Sequence, residues 1–276
     1  MYSLRGGFMF TLGRNMDFSY KTNQMIALSS VAVAAIGWML TRNVLSGIYI
    51  GFGVFLTWAL VRELDPKHEY AAFLAAIFSL LNVLYYETVQ LLVVGWILLL
   101  MRIVNGITGK KLTTFDIFSV LGLTIYLSLT NGNSIYLMLF ILAMIFSIKA
   151  GAKTREALIA SAISIGVIAV DYFFINDLSF NRIDYSNTVT LFLIIVIGLS
   201  LIVFLFLSKD ETEDDRGNKV NRSKQLASQI LYSAIVLLLF FFGGASLNNL
   251  IIYLSALSGV TSYFIGSKIL NRIRSN

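Results

Sequence analysis

Eight stretches without one charged side chain constrain what this chain can fold into. They cover residues 22–41, 43–61, 70–86, 88–101, 117–148, 157–170, 185–208 and 225–267. An α-helix rises about 1.5 Å per residue, so about 20 residues cross a hydrocarbon core of roughly 30 Å. The stretch 225–267 is too long for one crossing and breaks at Gly243-Gly244-Ala245-Ser246, so it reads as two helices. The stretch 117–148 carries Asn131-Gly132-Asn133 at its centre. It reads either as two short spans or as one re-entrant hairpin. None of these runs alternates with period two, and they are too long for barrel strands. The expected fold is therefore all-α. It is a polytopic transmembrane helix bundle of about ten spans (eight to ten), arranged as helical hairpins. The spans fall near 23–41, 44–62, 70–86, 88–104, 117–130, 134–148, 157–175, 187–208, 226–243 and 248–268.

Composition supports the bilayer. Only 13% of the residues are charged and 57% are hydrophobic, with mean hydropathy +0.79. A soluble domain carries about 25% charged and about 45–50% apolar residues. The net charge of +6 does not point to nucleic acid, because the basic residues sit at the ends of apolar runs and form no stripe. With the N-terminus inside, Arg42 and Arg182 are the only members of the 21 lysines and arginines that fall outside. The positive-inside rule then places both termini in the cytoplasm. The expected location is the plasma (cytoplasmic) membrane of a prokaryote. In this layout residues 1–22 are a basic tail or an interfacial segment, and 23–208 hold about eight spans. Residues 209–225 form a solvated, mobile, charged linker, 226–268 the last hairpin and 269–276 a basic tail. Small residues mark expected helix contacts: Gly47 with Gly51, Ala162 with Gly166, and the row Ser255, Gly259, Ser262 and Gly266.

The chain's only proline and only histidine lie in Arg62-Glu63-Leu64-Asp65-Pro66-Lys67-His68-Glu69, between the second and third spans. The next inner loop holds Arg102, Asn105, Lys110, Lys111 and Asp116 around the turn Asn105-Gly106-Ile107-Thr108-Gly109. Thr113 or Thr114 is placed to cap the helix that follows. Arg62, Glu63, Asp65, His68, Arg102, Asn105, Lys110, Lys111 and Asp116 are the candidate substrate or headgroup residues. The expected pairings are Arg62 with Glu63 or Asp65, and Arg102 with Asp116. A glycine turn beside three cations suits an anionic headgroup or phosphate, although no Gly-Lys-Ser/Thr completes a P-loop. The competing reading is a set of salt bridges that shape ordinary inner hairpins.

Asp171 is the carboxylate flanked on both sides by apolar helical sequence, and Ala160 and Ser164 share its face. Ionisable groups at membrane depth mark function by default, so Asp171 and Ser164 are the candidate intramembrane coupling residues. The outer side contributes Glu87 beside Tyr85 and Tyr86, and Arg182 between Asp177 and Asp184.

Several enzyme classes lose their parts. Cysteine is absent and one histidine cannot build a two-histidine zinc centre. No Gly-x-Ser-x-Gly elbow is present, and no paired aspartate-rich helices. No metal or cofactor is expected, and the chain leans away from an enzyme. A small-solute or ion carrier is the leading expectation. The alternatives are a protein that binds or acts on lipid or polyprenyl headgroups at the cytoplasmic rim, and a non-catalytic scaffold subunit. The expected partners are the lipid bilayer and an anionic headgroup or small solute.

Overall fold

The computed structural model describes residues 10–14, 16–84, 89–151, 153–175, 178 and 186–275. Each expected span folds as a helix: α1 (Lys21–Thr41), α2 (Val44–Leu64), α3 (Glu69–Ser79), α4 (Leu91–Asn105), α5 (Thr114–Thr130), α6 (Ile135–Lys149), α7 (Thr154–Val170), α8 (Asn187–Leu207), α9 (Arg222–Phe242) and α10 (Leu247–Ser275). No strand forms among the described residues; one isolated bridge joins Glu213 and Lys219. Among the described residues six helices are long and apolar enough to cross a membrane: α1, α2, α7 with its extension to Ile175, α8, α9 and α10. Helices α3 to α6 are shorter. α5 and α6 have 17 and 15 residues, about 25 and 22 Å of rise. The stretch 117–148 is thus two helices turning at Gly132, which sits at φ 57°.

Local chemistry sets the boundaries. Asn43 starts α2 by accepting from the Leu45 and Ser46 amides. Thr113 starts α5 with a reciprocal capping box to Asp116. Gly106 ends α4 in the left-handed conformation at φ 65°, where glycine pays no Cβ penalty. Helix α3 tightens into a 3₁₀ turn over Leu80–Leu84, and α7 widens into a π turn over Asp171–Ile175. The C-terminal segment expected as a tail is a continuation of α10.

The core is built from α2, α3, α4, α6, α9 and α10, while α1, α7 and α8 expose most of their apolar side chains. Such an apolar outer surface fits a lipid solvent. Close approach follows three of the expected small-residue positions, Gly47 and Gly51 against α1 and Gly259 against α3. A Cβ at Gly51 would lie 2.6 Å from the Ser30 carbonyl of α1, and one at Gly259 would lie 2.7 Å from the Ala75 Cα of α3. Gly166 and Gly266 face open space. In α7 the buried face is Ala157, Ala160 and Ser164, not the Ala162–Gly166 row.

Candidate functional site

The C-terminal ends of α2 and α4, the N-terminal ends of α3, α5, α7 and α9, and residues 10–20 meet at one end of the bundle. Its centre is Glu63, whose side chain is fully buried. Its Oε1 accepts from Arg102 Nε at 2.8 Å and from Arg14 Nη1 at 3.3 Å; its Oε2 accepts from Asn105 Nδ2 at 3.1 Å. Arg14 also forks onto Asp215, Nε to Oδ2 at 2.9 Å and Nη2 to Oδ1 at 2.6 Å. Two acids and two arginines thus neutralise one another, which a buried carboxylate requires. Burial pulls the Arg14 pKa down, and the Glu63 and Asp215 charges outweigh it, leaving Arg14 above the ordinary arginine value.

Other links fasten the same end. Arg102 Nη1 donates to the Leu12 carbonyl at 3.0 Å, and Leu12 is buried. The Gln225 amide nitrogen of α9 donates to the Glu63 and Leu64 carbonyls at 2.9 and 3.0 Å, and that of Gln229 donates to the Leu64 carbonyl at 2.7 Å. These are carbonyls that the end of α2 leaves without a helical partner.

The candidates from sequence are divided by the fold. Glu63, Arg102 and Asn105 come together as one cluster. Asp116 does not pair with Arg102. Its carboxylate accepts from the Thr11 amide and hydroxyl and from the Thr113 amide and hydroxyl, at 2.6–2.7 Å. Arg62 pairs with neither Glu63 nor Asp65; it donates to the Pro66 carbonyl at 2.9 Å and lies 3.5 Å from Glu69. Asp65 binds His68 Nδ1 at 3.0 Å, and the imidazole rests on the Tyr263 ring of α10, centroids 5.4 Å apart. The hydrogen bond to Asp65 raises the His68 pKa against the opposing effect of burial. Arg62, Asp65, His68, Arg102 and Asp116 therefore form no single constellation, and each acid is committed to its own partner.

Residues 209–221, expected to be part of a solvated, mobile linker, are mostly exposed and make hydrogen bonds and ion pairs to this end of the bundle. The Asp215 amide donates to the Ile107 carbonyl at 3.0 Å, and the Asp214 carboxylate accepts from the Arg216 and Asn218 amides. Burial works against the Asp214 charge, but these amide bonds win and its pKa is lowered. The N-terminal tail likewise becomes structure from residue 10 onward. Sequence reasoning missed Thr11, Arg14, Asp214 and Asp215. The signal was available in Glu63, an acid next to apolar helix that needs more than one cation when buried.

Two clefts open at this end. The first, about 460 Å³, is lined by Arg102, Lys110, Lys111, Lys153, Lys219 and Lys224 against one acid, Asp214. Arg102 is paired with Glu63, Lys153 with Glu156 and Lys219 with Glu211. Lys110, Lys111 and Lys224 have no ion pair among the described residues. Lys153 and Asn221, the residues that precede α7 and α9, also border it. Both helix N-termini add positive potential there. The second cleft, about 870 Å³, shares Arg102, Thr108, Lys110 and Asp214 with the first and reaches Phe55, Leu56, Trp58 and Leu98.

Asp171 and Ser164 stand apart from both clefts. Asp171 is buried and its carboxylate accepts from the Leu178 amide at 3.1 Å. Ser164 donates to the Ala160 carbonyl at 3.0 Å. Neither cleft is lined by Asn82, Gln90, Ser164, Asp171 or Gln229. Glu87, Asp177, Arg182 and Asp184 lie outside the described residues. No group of three or more metal-ligating side chains occurs among the described residues. Comparison of the chain with protein-family models, with curated proteins and with solved structures finds no match.

Proposed function

We propose that this is an integral membrane protein of about ten spans that binds a phosphate-bearing anion at its cytoplasmic rim, without performing chemistry on it. The single observation that carries this reading is the first cleft. Six cations face one acid there, and three of the lysines have no ion pair among the described residues. In a chain with so few charges, unpaired cations gathered around one cleft are a site for an anion. The distribution of lysine and arginine in the sequence supports the orientation, with both termini and the cleft on the cytoplasmic side. Asp116 is taken up by Thr11 and Thr113, apart from the Asp65–His68 pair, and this separation disfavours acid–base catalysis at this rim. The candidate coupling residues line neither of these two clefts, so neither cleft supports the carrier reading.

The test is thermal unfolding of the full chain in a neutral detergent with added inorganic pyrophosphate. The melting temperature of the wild type is expected to rise, since a ligand that binds only the folded state stabilises it. The triple variant Lys110→Ala, Lys111→Ala, Lys224→Ala should lose that rise while keeping its ligand-free melting temperature within a few degrees. Equal responses of the two proteins to pyrophosphate would remove the anion site.

A further inference from the structure

We infer that the anion of the first cleft is a short, water-soluble oligophosphate, and that Thr108 is the neutral donor that seats one of its phosphates. This inference rests on the reading of the lysine-lined cleft as an anion site. It adds the ligand class and the residue that selects it.

Thr108 stands in the turn between α4 and α5. It is 3% exposed and borders the cleft, yet among the described residues neither its hydroxyl nor its amide has a hydrogen-bond partner. Buried polar groups are normally paired. The hydroxyls of Ser147 and Ser228 also lack partners, but those are sealed in the interior, whereas that of Thr108 keeps contact with the cleft. The amides of Lys110, Lys111 and Leu112 follow on the same wall and are likewise unpaired among the described residues. Neighbouring free N–H groups of this kind hold phosphate oxygens, and a threonine hydroxyl adds one more donor. The acid of this cleft, Asp214, is occupied by the Arg216 and Asn218 amides.

The walls set the ligand class. The unpaired lysines come from two places, Lys110 and Lys111 from the turn and Lys224 from the first turn of α9. A volume of about 460 Å³ suits a small molecule rather than a single ion. No aromatic side chain borders the cleft among the described residues, so a nucleobase has no face to stack on. Apart from the last turn of α4 and the first turn of α9, the lining belongs to segments between helices and to Leu12, and it offers no apolar helix face to an acyl chain. The adjoining second cleft reaches apolar side chains, but six carboxylates stand there against five cations, and such a balance does not draw an anion in.

The experiment is isothermal titration calorimetry of the full chain in neutral detergent. The probes are orthophosphate, pyrophosphate, tripolyphosphate, ATP and the water-soluble lipid dihexanoyl phosphatidic acid. Pyrophosphate and tripolyphosphate should bind about tenfold or more tightly than orthophosphate, the gain of one further charge-assisted contact. ATP should bind no more tightly than tripolyphosphate, and the phosphatidic acid no more tightly than orthophosphate. Thr108→Val keeps the shape and removes the hydroxyl, and it should weaken pyrophosphate binding about tenfold with the ligand-free melting temperature unchanged. Thr108→Ser restores the hydroxyl and should bind pyrophosphate as the wild type does. Equal affinity for orthophosphate and pyrophosphate overturns the ligand class, as does ATP or phosphatidic acid exceeding its inorganic counterpart. Equal pyrophosphate affinity of wild type and Thr108→Val overturns the role of Thr108. In each of these cases the anion site itself stands. If the wild type binds none of the probes, both readings fall. Should Thr108→Val not fold, Thr108→Ala takes its place, with weakened binding in support and unchanged binding against.

Discussion

Glu63 is the residue on which the polar end depends, and its environment makes a quantitative prediction. Its carboxylate is fully buried and accepts from Arg102, Arg14 and Asn105. Removing one partner of a buried ion pair costs about 3–5 kcal/mol, because the other charge stays desolvated. Arg14 and Arg102 keep some contact with solvent, which lowers that figure. Glu63→Gln is therefore expected to destabilise the protein by about 2–4 kcal/mol, seen as a lower melting temperature in detergent. The double variant Glu63→Leu, Arg102→Met should lose less than the sum of its single changes. Strict additivity would mean that the pair does not act as a unit. His68 makes the pH prediction. Its folded-state pKa stands above the ordinary 6.5 because Asp65 accepts from its ring. A raised cation pKa gives stability that is fully present below the unfolded value and lost as pH rises through the folded one. The melting temperature of wild type minus that of His68→Gln should thus be larger at about pH 6 than at about pH 8.5. A difference that grows with pH would show that the Asp65–His68 contact does not persist in solution.

Helices were legible because each one is an uncharged interval bounded by charge or turn residues, and hydrophobic length is a local property. The break in 117–148 followed from Asn131-Gly132-Asn133, and the start of α5 from Thr113 with Asp116. The 3₁₀ end of α3 and the π turn after α7 carried no sequence signal of their own. Of the small-residue rows, only those that meet another helix mattered, and a row does not say whether it faces protein or lipid. Gly51 meets α1 and Gly166 meets nothing, yet both belong to the same four-residue spacing. This contrast is testable. Gly51→Val places a side chain against the Ser30 carbonyl and Ala34, and overpacking of this kind costs about 1–3 kcal/mol. Gly166→Val has open space and should leave the melting temperature within about 0.5 kcal/mol of wild type. If both variants melt alike, the α1–α2 contact is looser than the structure has it.

At the scale of the whole molecule, the site was only half readable, because its partners come from distant parts of the chain. Arg14 and Asp215 are 201 residues apart, and Arg14 and Glu63 are 49 apart. No local pattern announces such pairs. What the sequence did carry was the placement of its cations, and that placement makes the last prediction. The chain has no cysteine, so single cysteines introduced by substitution report sidedness without background. Lys67→Cys and Glu211→Cys lie at the polar end, one between α2 and α3 and the other between α8 and α9. Arg42→Cys lies between α1 and α2 at the opposite end, and Asn131→Cys at the turn between α5 and α6. In intact bacterial cells a membrane-impermeant maleimide should label the second pair and spare the first. Inverted vesicles should give the reverse. Labelling of Lys67→Cys and Glu211→Cys from opposite sides would separate loops that the structure joins, and the anion cleft could not then lie at one membrane face. Protection of Asn131→Cys from both sides, with Arg42→Cys labelled in cells, would make α5 and α6 a re-entrant hairpin. Their rise of about 22–25 Å would then stop within the bilayer, and every other loop would keep its side.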